Sequence, residues 1–190
     1  LTTPVQWSIN GHYYEYIIPE SGMNWEEAKA AAAESTYLGM LGHLATITSC
    51  DENTFIYNNL PIQDVTWGYF LGGFQPVDSE EPGVAWQWVT GEIFSYANWN
   101  NNEPNNAGNG QYGTGQQDAL WIYSNYPSSI GFTSYPGGTW DDMWGEYTEC
   151  NGPNIGYIVE FDATPVPEPS IALLFGAGIA GLAAVGRWKK

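Results

Sequence analysis

Apolar and polar positions change period several times along this chain, and each change marks an element. Residues 5–18, VQWSINGHYYEYII, alternate closely enough for a strand or hairpin. The pattern then gives way to NWEEAKAAAAES, the clearest helix: Asn24 caps it, Glu27 stands three residues on, and alanine fills the interior. HLATITS returns to a strand pattern, and Ser49 with Glu52 makes a second capping box for a helix through about Asn59. After that come short aromatic strands, TWGYFLGGFQ, AWQWVT, DALWIYS, TWDDMW and GYIVEF, separated by long polar stretches. No internal repeat interrupts residues 1–162. Two helices followed by short strands and irregular loops define an α+β domain.

Composition agrees with that layout. A chain of 190 residues with 43% hydrophobic and 16% aromatic content has room for one domain with a true core. Ten Trp and thirteen Tyr against 13% charged residues favour strands and loops packed through aromatic rings. The net charge of −17 understates an asymmetry, because Arg187, Lys189 and Lys190 supply three of the four cations. Residues 1–186 hold all 21 carboxylates and only Lys29, which gives −20. Such a body repels phosphate backbones, so no nucleic acid is expected as a partner. Neutral polar ligands and cations suit it better, and most of its carboxylates need be no more than a solvated surface. Cys50 and Cys150 allow one disulfide or two free thiols, and two cysteines exclude a cysteine-built zinc site. The chain begins at Leu1 without Met, as expected where an export signal has been trimmed.

At Ala163 the character changes. ATPVPEPS, residues 163–170, is a proline-punctuated linker, and residues 171–190 are an apolar segment with a basic end. Ile171–Gly186 gives sixteen uncharged residues, short for a spanning helix of about 20, with Trp188 placed for the interface and the cations for the inner side. The order Val166-Pro167-Glu168-Pro169, apolar run, basic end resembles the PEP-CTERM sorting signal of Gram-negative bacteria. That resemblance implies recognition and cleavage by an exosortase, a transient transmembrane helix in the inner membrane, and final release or anchoring at the cell surface, often beside extracellular polysaccharide.

A second resemblance covers about residues 6–162. Trp25 and Ala28 in the first helix, GHLATI (Gly42–Ile47), LGG (Leu71–Gly73), WQWVTGE (Trp86–Glu92), Asn98 to Asn105 with its Glu-Pro-Asn, WDD (Trp140–Asp142) and YIVE (Tyr157–Glu160) follow the order seen in C-type lectin domains. The resemblance implies a C-type lectin-like fold: two helices, short antiparallel strands and a long irregular loop region. It also exposes a departure. The four cysteine positions of the family's usual disulfides align with Ala32, Ala119, Gly145 and Val159. A bridge between Cys50 and Cys150 would close a different loop of about 100 residues, worth at most roughly 4–5 kcal/mol on the chain-entropy account.

The stretch from Trp99 to Trp121 then acquires a chemical meaning. Calcium takes six to eight oxygens from carboxylates, amides and backbone carbonyls. Glu103 and Asn105 flank one proline, and a cis Glu103–Pro104 bond would turn both side chains to one side. Asp141 and Asp142 add carboxylates from a strand 36 residues beyond Asn105. The resemblance implies that Glu103, Asn105, Gln117, Asp141 and Asp142 bind both Ca2+ and sugar, two neighbouring hydroxyls completing the metal's shell. Glu-Pro-Asn goes in that family with mannose, glucose, N-acetylglucosamine and fucose rather than galactose. Gln117 stands where the family has a glutamate, and Asp141 where it often has an asparagine. Asp78, Glu81, Asn106 and Asp118, with Glu80 beside them, are candidates for an auxiliary metal site or simply an acidic loop. Trp86 and Trp88 are expected in the core. His43 lies in a strand as a structural residue, and His12 carries no reading.

Catalysis is not expected. Asp141 and Asp142 are adjacent on a strand and should leave on opposite faces, and no phosphate loop, nucleophile elbow or histidine-based zinc motif occurs. The expected function is exported, calcium-dependent carbohydrate binding. The alternative is an adhesion or extracellular-matrix protein that uses the same fold for protein contacts.

Overall fold

The computed structural model describes residues 2–60, 68–107, 116–124, 136–145 and 155–163. The sorting motif Val166–Pro169, the apolar tail and Cys150 lie outside them. Among the described residues no helix is long and apolar enough to cross a membrane.

The opening alternation resolves as a hairpin, β1 (Val5–Gln6) against β2 (Tyr13–Ile17). Helix α1 (Trp25–Glu34) has its full capping box: Asn24 Oδ1 accepts the Glu27 amide at 2.9 Å while Glu27 accepts the Asn24 amide at 2.9 Å. Trp25, Ala28 and Ala32 form its buried stripe, at the spacing a helix needs to present one face. A small hairpin follows, β3 (Thr36–Tyr37) with β4 (Met40–Leu44). The strand therefore starts earlier than HLATITS suggests and ends at Leu44, and a short irregular segment leads to α2 (Cys50–Asn59).

The second capping box is only half made. Ser49 Oγ accepts the Glu52 amide at 3.2 Å, but the Glu52 carboxylate turns inward to Tyr14 and Thr48 instead of back to the cap. Burial decides this: Glu52 is 3% exposed, and a buried carboxylate takes the strongest donors within reach. Cys50, the first residue of α2, is exposed.

The strands β5 (Gly68–Phe74), β6 (Gln87–Trp88), β7 (Ala119–Tyr123), β8 (Trp140–Met143) and β9 (Gly156–Phe161) complete the sheet. Its main order is β1-β2-β9-β5-β7-β8, with β4 also on β9, β3 on β4, and β6 on β5. The last strand in sequence is therefore central. It runs antiparallel to β2 and β4 and parallel to β5.

Both faces of the sheet are buried, and strand alternation sorts side chains between them. On β7, Leu120 and Ile122 enter a core with Ile47, Ile56, Leu71, Trp88, Trp140 and Ile158. Ala119, Trp121 and Tyr123 enter the other, with Trp25, Ala28, Ala32, Leu44, Phe70 and Val159. The helices thus cover opposite faces. Trp86 and Trp88 are core residues at 7% and 2% exposure, and Trp88, Phe94, Tyr96 and Trp99 surround the ring of Trp140. Of the four positions aligned with cysteines, Ala32 and Val159 are buried on this second face, and a Cβ placed on Gly145 would stand 3.7 Å from that of Ala119.

Candidate metal centre

The edge strand β8 positions the site. Trp99 bridges Trp140 in parallel, the Asn100 amide donates to Trp140 O at 2.8 Å, and the Trp140 amide donates to Asn98 O at 2.8 Å. The loop is thereby laid along the outer edge of β8. Asn102 and Asn106 adopt left-handed backbone at φ 69° and 47°, a conformation asparagine tolerates better than most residues, and the Glu103–Pro104 bond is cis.

This path brings Glu103, Asp141 and Asp142 together, one carboxylate oxygen of each lying within 4.8 Å of the others. Strand alternation predicted that the two aspartates would part company. They converge because Glu103 approaches from the edge, where carboxylates from either face can be reached. Asp142 is fully buried, and its two oxygens accept the backbone amides of Asn105 at 3.0 Å and Asn106 at 2.7 Å. Tyr123 donates its hydroxyl to Asp141.

The electrostatics describe a site with too many acceptors. Burial, then the charges of Asp141 and Asp142, push the Glu103 carboxyl up to about 8. Burial also pushes Asp141 up, to about 6, aided by Asp142 and opposed by the bond from Tyr123. Glu103 Oε2 and Gln117 Oε1 are buried without a hydrogen-bond partner among the described residues. Three carboxylates and orphaned oxygens fit a hard cation, and an all-oxygen donor set fits calcium better than a softer metal. Asn105 enters through its backbone amide, and its exposed side chain accepts the Ala107 amide at 2.6 Å through Oδ1. Gln117 is tied in through its own amide, which donates to Asn106 Oδ1 at 2.9 Å.

The auxiliary candidates divide. Burial, then the charges of Asp142 and Asp118, raise the Glu81 carboxyl, and Glu81 Oε2 is buried without a hydrogen-bond partner among the described residues. Asn106 links to Gln117, and Asp118 accepts the Gly145 amide at 3.2 Å. Asp78 is exposed in a left-handed turn, and Glu80 is exposed too. Sequence reasoning missed two neighbours: Tyr123, and the buried Gln75, which donates to Val84 O at 2.7 Å and whose Oε1 has no hydrogen-bond partner among the described residues. Both owe their place to sheet register, which no local pattern reveals.

The fold resembles the C-type lectin CEL-I from Cucumaria echinata, with a TM-score of 0.58 and 17% identity over 85% of this chain and 98% of that one. A perlucin-like protein of Mytilus galloprovincialis is 28% identical over 162 residues, 83% of this chain and 84% of the relative. The halomucin of Haloquadratum walsbyi is 28% identical over 154 residues, but the chain spans only 1% of that relative's length. Residues 165–190 match the PEP-CTERM protein-sorting motif. The described residues thus have a C-type lectin-like fold, and the chain ends in a match to a sorting motif. That motif indicates export and surface localisation.

Proposed function

We propose that this protein is an exported, calcium-dependent carbohydrate-binding protein of a Gram-negative cell surface, without catalytic activity. Residues 1–162 form the binding domain, 163–170 the linker with the sorting motif, and 171–190 a transmembrane segment that an exosortase removes. The convergence of Glu103, Asp141 and Asp142 beside orphaned buried oxygens carries the reading. Glu103, Asn105, Gln117, Asp141 and Asp142 hold the metal, which supplies a Lewis-acidic anchor for two sugar hydroxyls. The protein's own contribution is asymmetric: Glu103 offers a charged acceptor and the exposed Asn105 offers amide donors, a pairing suited to the diol of mannose-type sugars.

Calcium that binds only the folded domain stabilises it by about 2.7 kcal/mol at a hundredfold excess over Kd. The melting temperature should therefore rise between EGTA and millimolar calcium; no change rejects the metal. Paired Glu103→Gln and Asn105→Asp keep two oxygens but exchange donor and acceptor. Calcium should survive while mannose affinity falls about ten- to a hundredfold. A double variant that still elutes from mannose resin as the parent does rejects the sugar site.

The engagement of Asp141 by Tyr123 favours a second reading. An oxygen spent on a neighbouring hydroxyl offers less to a sugar, as expected of an adhesion domain that uses this fold for protein contacts. A glycan array without a single calcium-dependent binder would support it.

A further inference from the structure

Charge counting singles out the end of β9. Among the described residues the one Lys or Arg is Lys29, which pairs with Glu26 at 3.1 Å on α1. Within that set, Glu52, Glu160 and Asp162 can draw positive charge only from His12 and His43. The sheet brings both rings there. His12 stands just before β2 and His43 on β4, the two strands antiparallel to β9, with Tyr13 and Gly42 both opposite Phe161. His12 Nδ1 lies 2.6 Å from Glu160 Oε1 and 3.4 Å from Asp162 Oδ1. His43 Nε2 lies 3.2 Å from that same Asp162 oxygen.

Hydrogen bonding selects the charged form of the rings. His43 Nδ1 faces Leu44 O at 2.9 Å while Nε2 faces Asp162, and a carbonyl and a carboxylate can only accept. A neutral ring has one N–H and serves one of them; an imidazolium serves both. His12 Nδ1 donates to Glu160 Oε1, and Thr46 N donates to Glu160 Oε2 at 2.9 Å. Behind them, Tyr14 shares its single hydroxyl proton between Glu52 Oε1 at 2.5 Å and Glu160 Oε1 at 3.0 Å. Glu52 and Glu160 are each 3% exposed, so their charge is costly without a cation beside it. The electrostatics agree. The bond to Glu160, aided by the charges of Glu160, Asp162 and Glu52, raises His12 above its ordinary value against the pull of burial. Burial lowers His43, but Glu160, the Leu44 carbonyl and Asp162 outweigh it and leave that ring raised too.

We propose that His12 and His43 form a pH-sensitive clasp, which fastens the end of β9 to β2 and β4 while both rings are charged and loosens as they lose their protons. The clasp goes beyond the centre on β8 and needs no ion. Because folding raises both rings, their contribution is complete below about pH 6.5 and disappears as pH climbs through the folded values. A deprotonated His43 keeps Leu44 or Asp162 but not both, and Asp162, 59% exposed, turns to water. Glu160 has no such escape and stays buried with the Thr46 amide and the Tyr14 hydroxyl. Asp162 stands just before the sorting match at residues 165–190, so the clasp acts where the domain hands over to the tail.

The test uses the full chain and the Cε1 proton resonances of its two histidines, assigned with His12→Gln and His43→Gln. Both should titrate above about 6.5 in the folded protein and return to that value in denaturant. Gln keeps a side-chain donor but cannot be charged. The melting temperature of the double variant should therefore lie below the parent's at pH 6, and the gap should close by about pH 9. Glu103 titrates alike in both proteins, so the gap isolates the histidines. Amide exchange in the C-terminal half of β9, corrected for the intrinsic rate, should quicken relative to β7 over that range in the parent only. Far-ultraviolet circular dichroism verifies that each variant is folded. Either ring titrating at or below about 6.5 overturns the clasp. So does a melting gap, in the folded single variants, that is the same at pH 6 and pH 9.

Discussion

Glu103 is the residue through which pH reaches the candidate metal centre. Its folded carboxyl lies near 8, above its ordinary value, so folding favours the protonated form. Without metal, that contribution is complete below the ordinary carboxylate range and is lost as pH rises through about 8. The melting temperature of the EGTA-treated protein should therefore fall more steeply from pH 5 to 8 than that of Glu103→Gln. Calcium reverses the sign, because it binds the ionised site. Its affinity should rise over pH 6 to 8 with release of protons, measurable by calorimetry in buffers of different ionisation enthalpy. Glu103, Asn105 and the two aspartates were legible as site candidates because each sits in a short, distinctive string. Tyr123 was not, since only the pairing of Trp121 with Asp141 brings its hydroxyl across.

At the scale of elements, the first capping box was legible in full and the second only in half. Asn24 and Glu27 act on each other and need nothing else, whereas Glu52 was claimed by Tyr14, 38 residues away. Even the absent staples left an imprint. The 3.7 Å from Ala119 Cβ to a Cβ on Gly145 falls inside the 3.5–4.5 Å range of disulfides. Ala119→Cys with Gly145→Cys should therefore oxidise spontaneously, once the Asp118 carboxylate, 2.8 Å from the new Cβ, has turned aside. Closing that loop is worth about 3–4 kcal/mol on the chain-entropy account. Melting curves with and without reductant measure it; equal midpoints for the oxidised and reduced double variant would refute the expectation.

Across the whole molecule, domain and tail should part. Cleavage at the sorting motif predicts a surface-released form without residues beyond about Glu168, which intact-mass measurement reads directly; Lys190 retained there counts against processing. Loss of the tail also removes three of the four cations and leaves Lys29 alone among the carboxylates. Calcium affinity in the released form should then fall with added salt, as screening weakens the acidic field. The position of β9 carries a different consequence. A chain delivered from its N-terminus offers β2, β4 and β5 long before residues 156–161 arrive to join them. Until then the sheet lacks its centre. The strand that ends the domain therefore sets the moment at which the sheet can close.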